Sequence, residues 1–213
     1  MAQNTSHAVM AQRIEVHDSL DDFPSPPWSG RALCVHVLPQ FIAEPLDTLT
    51  VWEPAANRGY LAKPFAEFFG NVIGSDIHDY GAGYDVLDFL MPIVPASVPD
   101  LILTNPPFRL ATQFVRRAMS VSRLGCAVLV RGTWMETLER YNLFQEYPPT
   151  VVAQFVERVP MVKGRYDPKA STATAYAWVV FLHGQTDTRW RHIPPCRRTL
   201  ERSADFPKIV ELT

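Results

Sequence analysis

Between residues 49 and 145 the chain alternates short apolar runs with stretches whose apolar residues recur at helical spacing. This pattern predicts strands at 49–53, 71–76, 100–104 and 125–130, and helices at 60–69, 109–122 and 133–145. Before them, Pro24-Ser25-Pro26-Pro27 reads as extended backbone. Trp28, Ala32, Leu33, Val37 and Phe41 then mark a first helix. Two later strands, 151–157 and 174–182, flank a long polar loop and suggest an antiparallel pair at one edge of the sheet. Regular βα alternation implies a mostly parallel sheet with helices on both faces. Ligands bind such sheets outside the carboxyl ends of the strands, near the point where strand order reverses. Residues 1–22 are polar and aperiodic and read as a flexible arm, and no internal repeat is present.

The strand ends carry the chemistry. Residues 101–108, Leu-Ile-Leu-Thr-Asn-Pro-Pro-Phe, are an apolar strand stopped by two prolines, which lack an N–H and cannot continue a ladder. The chain must leave the sheet at Asn105. Stiff prolines then hold the Asn105 amide oxygen and the Pro106 carbonyl as two fixed acceptors beside the Phe108 ring, an arrangement suited to a flat ring with an exocyclic amine, such as adenine. At the first strand, Glu53-Pro54-Ala55-Ala56-Asn57-Arg58-Gly59-Tyr60-Leu61 forms a turn of small residues, which lets a nucleoside approach the backbone closely. The next strand ends in Gly74-Ser75-Asp76-Ile77. An acid at that tip is placed to accept from a ribose diol, and Asp76 lies 17 positions after Gly59.

These segments, in this order, resemble the motifs of amino methyltransferases dependent on S-adenosyl-L-methionine (AdoMet). Asn105-Pro106-Pro107-Phe108 resembles their Asn/Asp-Pro-Pro-aromatic motif. The turn after Glu53 resembles their first AdoMet motif, in which the strand-end acid faces the amino acid part of the cofactor and glycines line its edge. Asn57 stands where the family has its first motif glycine, and Asn tolerates left-handed backbone better than most residues. Asp85-Val86-Leu87-Asp88-Phe89-Leu90 resembles the Asp-Phe segment that holds the adenine of the cofactor, and Pro26-Pro27-Trp28 resembles an N-terminal cofactor motif. The loop from Glu157 through Trp178 resembles the target side of phage- and prophage-type DNA adenine methylases.

The resemblance implies a single Rossmann-like α/β domain over 23–183, with a seven-stranded, mostly parallel sheet that has one antiparallel edge strand. A C-terminal basic extension would occupy 184–213. The implied cofactor site comprises Trp28, Glu53, Pro54, Ala55, Asn57, Gly59, Asp76, Ile77, Asp88, Phe89 and Asn105. Catalysis would fall to Asn105, Pro106 and Phe108, and target contacts to Pro107, Lys163, Arg165, Tyr166 and Lys169. The implied reaction converts AdoMet to S-adenosyl-L-homocysteine while methylating an amine, adenine N6 in DNA first among the targets. Cytosine N4, guanine N2 in RNA and a protein glutamine amide are alternatives, as is a catalytically silent nucleic-acid-binding subunit. The protein would act as a monomer or homodimer.

Composition narrows the setting. At 213 residues one α/β domain is the default. No long uncharged apolar stretch and no signal pattern occur, so neither a membrane span nor export is expected and the location expected is cytoplasmic. Cys34, Cys126 and Cys196 are odd in number and far apart, which argues against disulfides and a structural metal. Net charge is −2, yet unevenly spread: residues 1–104 hold 4 Lys/Arg against 13 Asp/Glu, and residues 105–213 hold 16 against 9. The basic half suits a polyanion, although a charge run is also what a solvated face looks like.

Overall fold

A computed structural model describes residues 21–93, 97–167 and 170–205. Most of the flexible-arm assignment, and Lys169 with it, lies outside the described residues. Eight strands form one sheet: β1 (Thr50–Glu53), β2 (Asn71–Asp76), β3 (Asp85–Val86), β4 (Leu101–Thr104), β5 (Gly125–Arg131), β6 (Val151–Phe155), β7 (Tyr176–Leu182) and β8 (Arg189–Ile193). Their order is β3-β2-β1-β4-β5-β7-β6-β8. All pairs are parallel except those that β7 makes with β5 and β6.

β4 and β5 are apolar at nearly every position because helices cover both faces of the sheet. The period of two survives underneath. Leu101, Leu103, Ala127 and Leu129 enter one core with Trp28, Leu33 and Trp178. Ile102, Cys126, Val128 and Val130 enter the other with Trp52, Phe114 and Phe181. The first core is roofed by α1 (Pro27–Ala32), which runs on through a π turn (Leu33–Val37) and a 3-10 turn (Leu38–Gln40). The second lies under α3 (Ala111–Val121) and α4 (Leu138–Glu146), the latter capped by the Thr137 hydroxyl accepting from the Arg140 N–H.

Two predicted helices are shorter than expected. At 60–69 only α2 (Ala62–Phe65) is α-helical, because Pro64 has no N–H to give the preceding turn. At 133–145 a 3-10 turn (Gly132–Met135) precedes α4.

The sheet has eight strands where seven were expected. Its antiparallel strand, β7, is flanked on both sides, since β6 and then β8 continue the sheet beyond it. β8 belongs to the segment expected to be a basic extension, and it is zipped to β6 through the register Val151↔Arg189 to Phe155↔Ile193. After it, α5 (Arg197–Leu200) returns toward α1. There buried Arg31 donates to the Leu200 carbonyl (2.8 Å), to both Asp205 oxygens (2.7 Å each) and to Glu67. No helix among the described residues is long and apolar enough to cross a membrane. All three cysteines are buried and unpaired.

Candidate active site

From β1 the chain moves outward to β2 and β3, and from β4 it moves the opposite way to β5, so strand order reverses between β1 and β4. Loops leaving the two carboxyl ends diverge, and the gap between them is a cleft of about 790 Å³ open to solvent.

One end of the cleft is braced by carboxylates. Asp76, at the tip of β2, accepts from the Asn57 N–H through Oδ2 (2.9 Å) and from the His78 N–H through Oδ1 (3.0 Å). Each oxygen keeps a lone pair for a further donor. Burial raises its pKa, against the pull of those two backbone donors. Asn57 has φ of +51°, the left-handed conformation that the turn requires at the position of the motif glycine. Its side-chain Nδ2 donates to Asp22 Oδ1 at 2.7 Å. Gly59 is also left-handed, and a Cβ there would meet the Tyr84 hydroxyl at 2.4 Å. Pro54, Ala55, Ile77, Asp88 and Phe89 line the same end. Phe89 is held edge-on by Trp52 at 5.0 Å, and Asp88 Oδ1 accepts from the Leu90 N–H at 2.9 Å.

The opposite end is the turn after β4. Asn105 lines the cleft, and its Nδ2 donates to the Phe23 carbonyl at 3.0 Å. That bond fixes which way the amide faces, leaving Oδ1 buried and without a partner. Among the described residues the Pro106 carbonyl accepts no hydrogen bond either, whereas the next carbonyl, Pro107, accepts from the Leu110 N–H at 2.9 Å. The Phe108 ring is pressed between Phe23 (5.4 Å between centroids) and the Arg131 guanidinium (3.9 Å from the centroid). Arg131 ends β5, and its Nε is buried without a partner. Asp21 Oδ2 accepts from the Phe108 N–H at 2.6 Å.

Several expected site residues lie elsewhere. Trp28 does not reach the cleft. It is fully buried with its edge on Phe155 at 5.5 Å, because α1 turns it into the core. The residues just before it, Phe23, Pro24 and Ser25, line the cleft instead, and the buried Ser25 Oγ has no partner. Glu53 sits behind the turn with no exposed surface, its Oε1 accepting from the Ala55 N–H at 3.0 Å. Burial pushes its carboxyl up to about 8, with some relief from that donor. Gly59 faces a second cavity, with Arg58, Lys63 and Arg202. Pro106 is buried and Phe108 half-buried behind the cleft wall.

On the target side, Tyr166 is unavailable for stacking. Its loop folds back onto the C-terminal segment, so the ring is buried against Tyr60 and the hydroxyl bonds Glu201 Oε1 at 2.9 Å. Lys163 and Arg165 are exposed, the latter 3.4 Å from Asp167. Phe23, Ser25, Tyr80, Leu110, Phe114 and Arg131 were not singled out from sequence. For Phe23 and Ser25 the signal was there: a proline-rich stretch must be extended, and extended backbone entering a helix at a sheet edge passes the strand ends.

Neither a protein-family model nor a curated protein sequence matches the chain. Solved structures do match in fold. A Listeria monocytogenes protein assigned as a class I S-adenosylmethionine-dependent methyltransferase aligns over 82% of this chain and 67% of its own, with TM-score 0.57 and 10% identity. A protein assigned as the modification subunit of a type I restriction enzyme from Vibrio vulnificus YJ016 aligns over 80% and 47%, with TM-score 0.53 and 16% identity. The methyltransferase subunit of a type I restriction-modification system from Streptococcus thermophilus aligns over 80% and 48%, with TM-score 0.52 and 10% identity. The chain therefore has the Rossmann-like fold of class I methyltransferases. It spans about half the length of the two restriction-system subunits.

Proposed function

We propose that the protein transfers a methyl group from AdoMet to an exocyclic amine, adenine N6 in DNA first among the targets. One observation carries this reading: Asn105, which lines the cleft opposite Asp76, keeps its buried Oδ1 without a donor, and the Pro106 carbonyl next to it accepts no hydrogen bond among the described residues. A buried acceptor without a donor costs about 1–3 kcal/mol, so its retention is best understood as provision for a ligand.

The residues present fit the cofactor. Asp76 can accept from a ribose diol. Phe89 and Asp88 offer an apolar face and an acceptor to an adenine, and the orphaned Ser25 Oγ adds a polar contact. When bound, AdoMet supplies a methyl group on a sulfonium that departs as the neutral thioether of S-adenosyl-L-homocysteine. The chain's own task is alignment. Asn105 Oδ1 and the Pro106 carbonyl accept the two N–H groups of the target amine, draw its nitrogen out of conjugation with the ring, and stabilise the positive charge it gains on attack. The surplus proton then passes to water. A duplex target has to be flipped to reach this depth. Phe108 is the stacking surface, and either Phe23 or Arg131 must move to free one of its faces.

The DNA assignment draws on the two restriction-system subunits as fold neighbours and on the basic C-terminal half of the chain. Incubating the protein with tritiated AdoMet and parallel DNA, RNA and protein substrates, followed by mass spectrometry of released nucleosides, tests it. N6-methyladenine in DNA is the expected product. Label in cytosine N4, guanine N2 or glutamine redirects the target, and no transfer to any of them overturns the reading.

A further inference from the structure

Strand β8 is an anomaly. Of its five residues only Ile193 is buried, while Arg189, Trp190, Arg191 and His192 are all exposed, Trp190 by 54%. Alternation places Arg189 and Arg191 on the face of Val151 and Ala153, and Trp190 and His192 on the face of Val152 and Gln154. Arg189 rests over the Phe41 ring at 5.6 Å, and Trp190 meets His192 edge-on at 6.3 Å. Among the described residues neither Arg189, Arg191 nor Arg198 of the following helix makes a salt bridge. Glu157, the nearby carboxylate, is spent on the Cys196 and Arg197 N–H groups at 2.6 and 2.8 Å.

An edge strand with uncompensated arginines on one face and an exposed tryptophan on the other is costly surface unless a partner covers that edge from both sides. Because β8 is parallel to β6, and β6 runs in the direction of β5 and β4, its carboxyl end at Ile193 emerges on the side of the sheet that carries Asn105, with Arg191 two residues and Arg189 four residues back along the strand. Four strand steps separate β4 from β8, about 19 Å at the usual spacing between neighbouring strands. At 3.4 Å per nucleotide, that span is about six base pairs of duplex. The loop after β6, with exposed Arg158 and Arg165, follows from the same edge.

We propose that β8 and the start of α5 form a second DNA-backbone grip, holding duplex about six base pairs from the methylated nucleotide. Arg189, Arg191 and Arg198 meet phosphates, and Trp190 packs against the sugar backbone. This rests on the DNA reading above. The like charges along the strand disfavour the other occupant of a free sheet edge, the same strand of a second copy.

The test uses the full chain and fluorescent duplexes carrying a methylatable adenine at the centre, one of 10 base pairs and one of 30. Replacing Arg189, Arg191 and Arg198 together by Ala is expected to weaken binding of the long duplex roughly tenfold or more at low salt. The slope of log K against log salt should fall by about 2.7, the contribution of three phosphates. Affinity for the short duplex and kcat on it should not change, and Trp190→Ala should show the same length dependence more weakly. Equal loss on both duplexes, or no loss on either, overturns the grip while leaving methylation of DNA intact. A parent that sediments as a dimer and a variant that sediments as a monomer assigns the edge to a second copy instead. A parent that neither binds nor methylates DNA overturns this inference together with the DNA reading.

Discussion

The two ends of the cleft differ in how far their polar groups are satisfied. At the Asp76 end, both carboxylate oxygens already take backbone donors and the turn before them is locked by Asn57. At the Asn105 end, the amide oxygen and the adjoining carbonyl take none, and the Phe108 ring behind them is covered by Phe23 and Arg131. The first end is prebuilt. The second is incomplete, with hydrogen-bonding capacity left for a further ligand.

The largest break in this contrast should come from Asn105→Ala. Methyl transfer should fall about 10²–10³-fold, the usual consequence of removing one preorganised polar contact to a developing charge. AdoMet affinity measured by calorimetry should stay within a few-fold of the parent, and loss of that affinity would make Asn105 part of the prebuilt end. Asp76→Ala should do the reverse, costing about 1.5–3 kcal/mol of AdoMet binding, as expected for a hydrogen bond to a charged group. Unchanged calorimetry would remove Asp76 from the cofactor site.

Glu53 sharpens the comparison through pH. Its ordinary value of 4.5 rises to about 8 in the folded chain, chiefly through burial. Between those values the folded protein keeps a proton that the unfolded chain has released, so stability falls as pH rises through the window and the loss is complete above it. Glu53→Gln keeps the acceptor for the Ala55 N–H and cannot lose a proton. Thermal melts should show the variant level with the parent near pH 4.5 and several degrees more stable above pH 8; a constant difference would contradict a protonated Glu53. The smallest effect belongs to Asn57→Ala, which loses the local bond from the Arg58 N–H that helps Asn hold a left-handed backbone and drops the bond to Asp22, for about 1–2 kcal/mol in denaturant unfolding.

Legibility in the sequence followed burial. β4 and β5 stood out because their residues fill cores on both faces, and the helix at Ala111–Val121 because one of its faces is buried. β8 was illegible for the opposite reason: four of its five side chains are exposed, so backbone pairing with β6 leaves no apolar period to read. At the site, Asn105, Asp76, Asn57, Asp88 and Phe89 were legible because each sits at a strand end where the chain must turn. Trp28 was misplaced because an aromatic at a helix start can face core or cleft equally well, and only the docking of α1 on the sheet decides. Tyr166 was misread because its partner Glu201 lies 35 positions away.

By itself, then, the amino-acid order determined the alternation of strand and helix, the points where the chain leaves the sheet, and the chemical types gathered there, since proline, small residues and apolar period act locally. The tertiary structure alone decided that Asn105 gives its amide to Phe23 and keeps its oxygen free, that Arg131 lies on Phe108, and that the segment after β7 adds an eighth strand to the sheet. These are contacts between distant parts of the chain. Their geometry is set by how sheet and helices pack, a property no local pattern encodes.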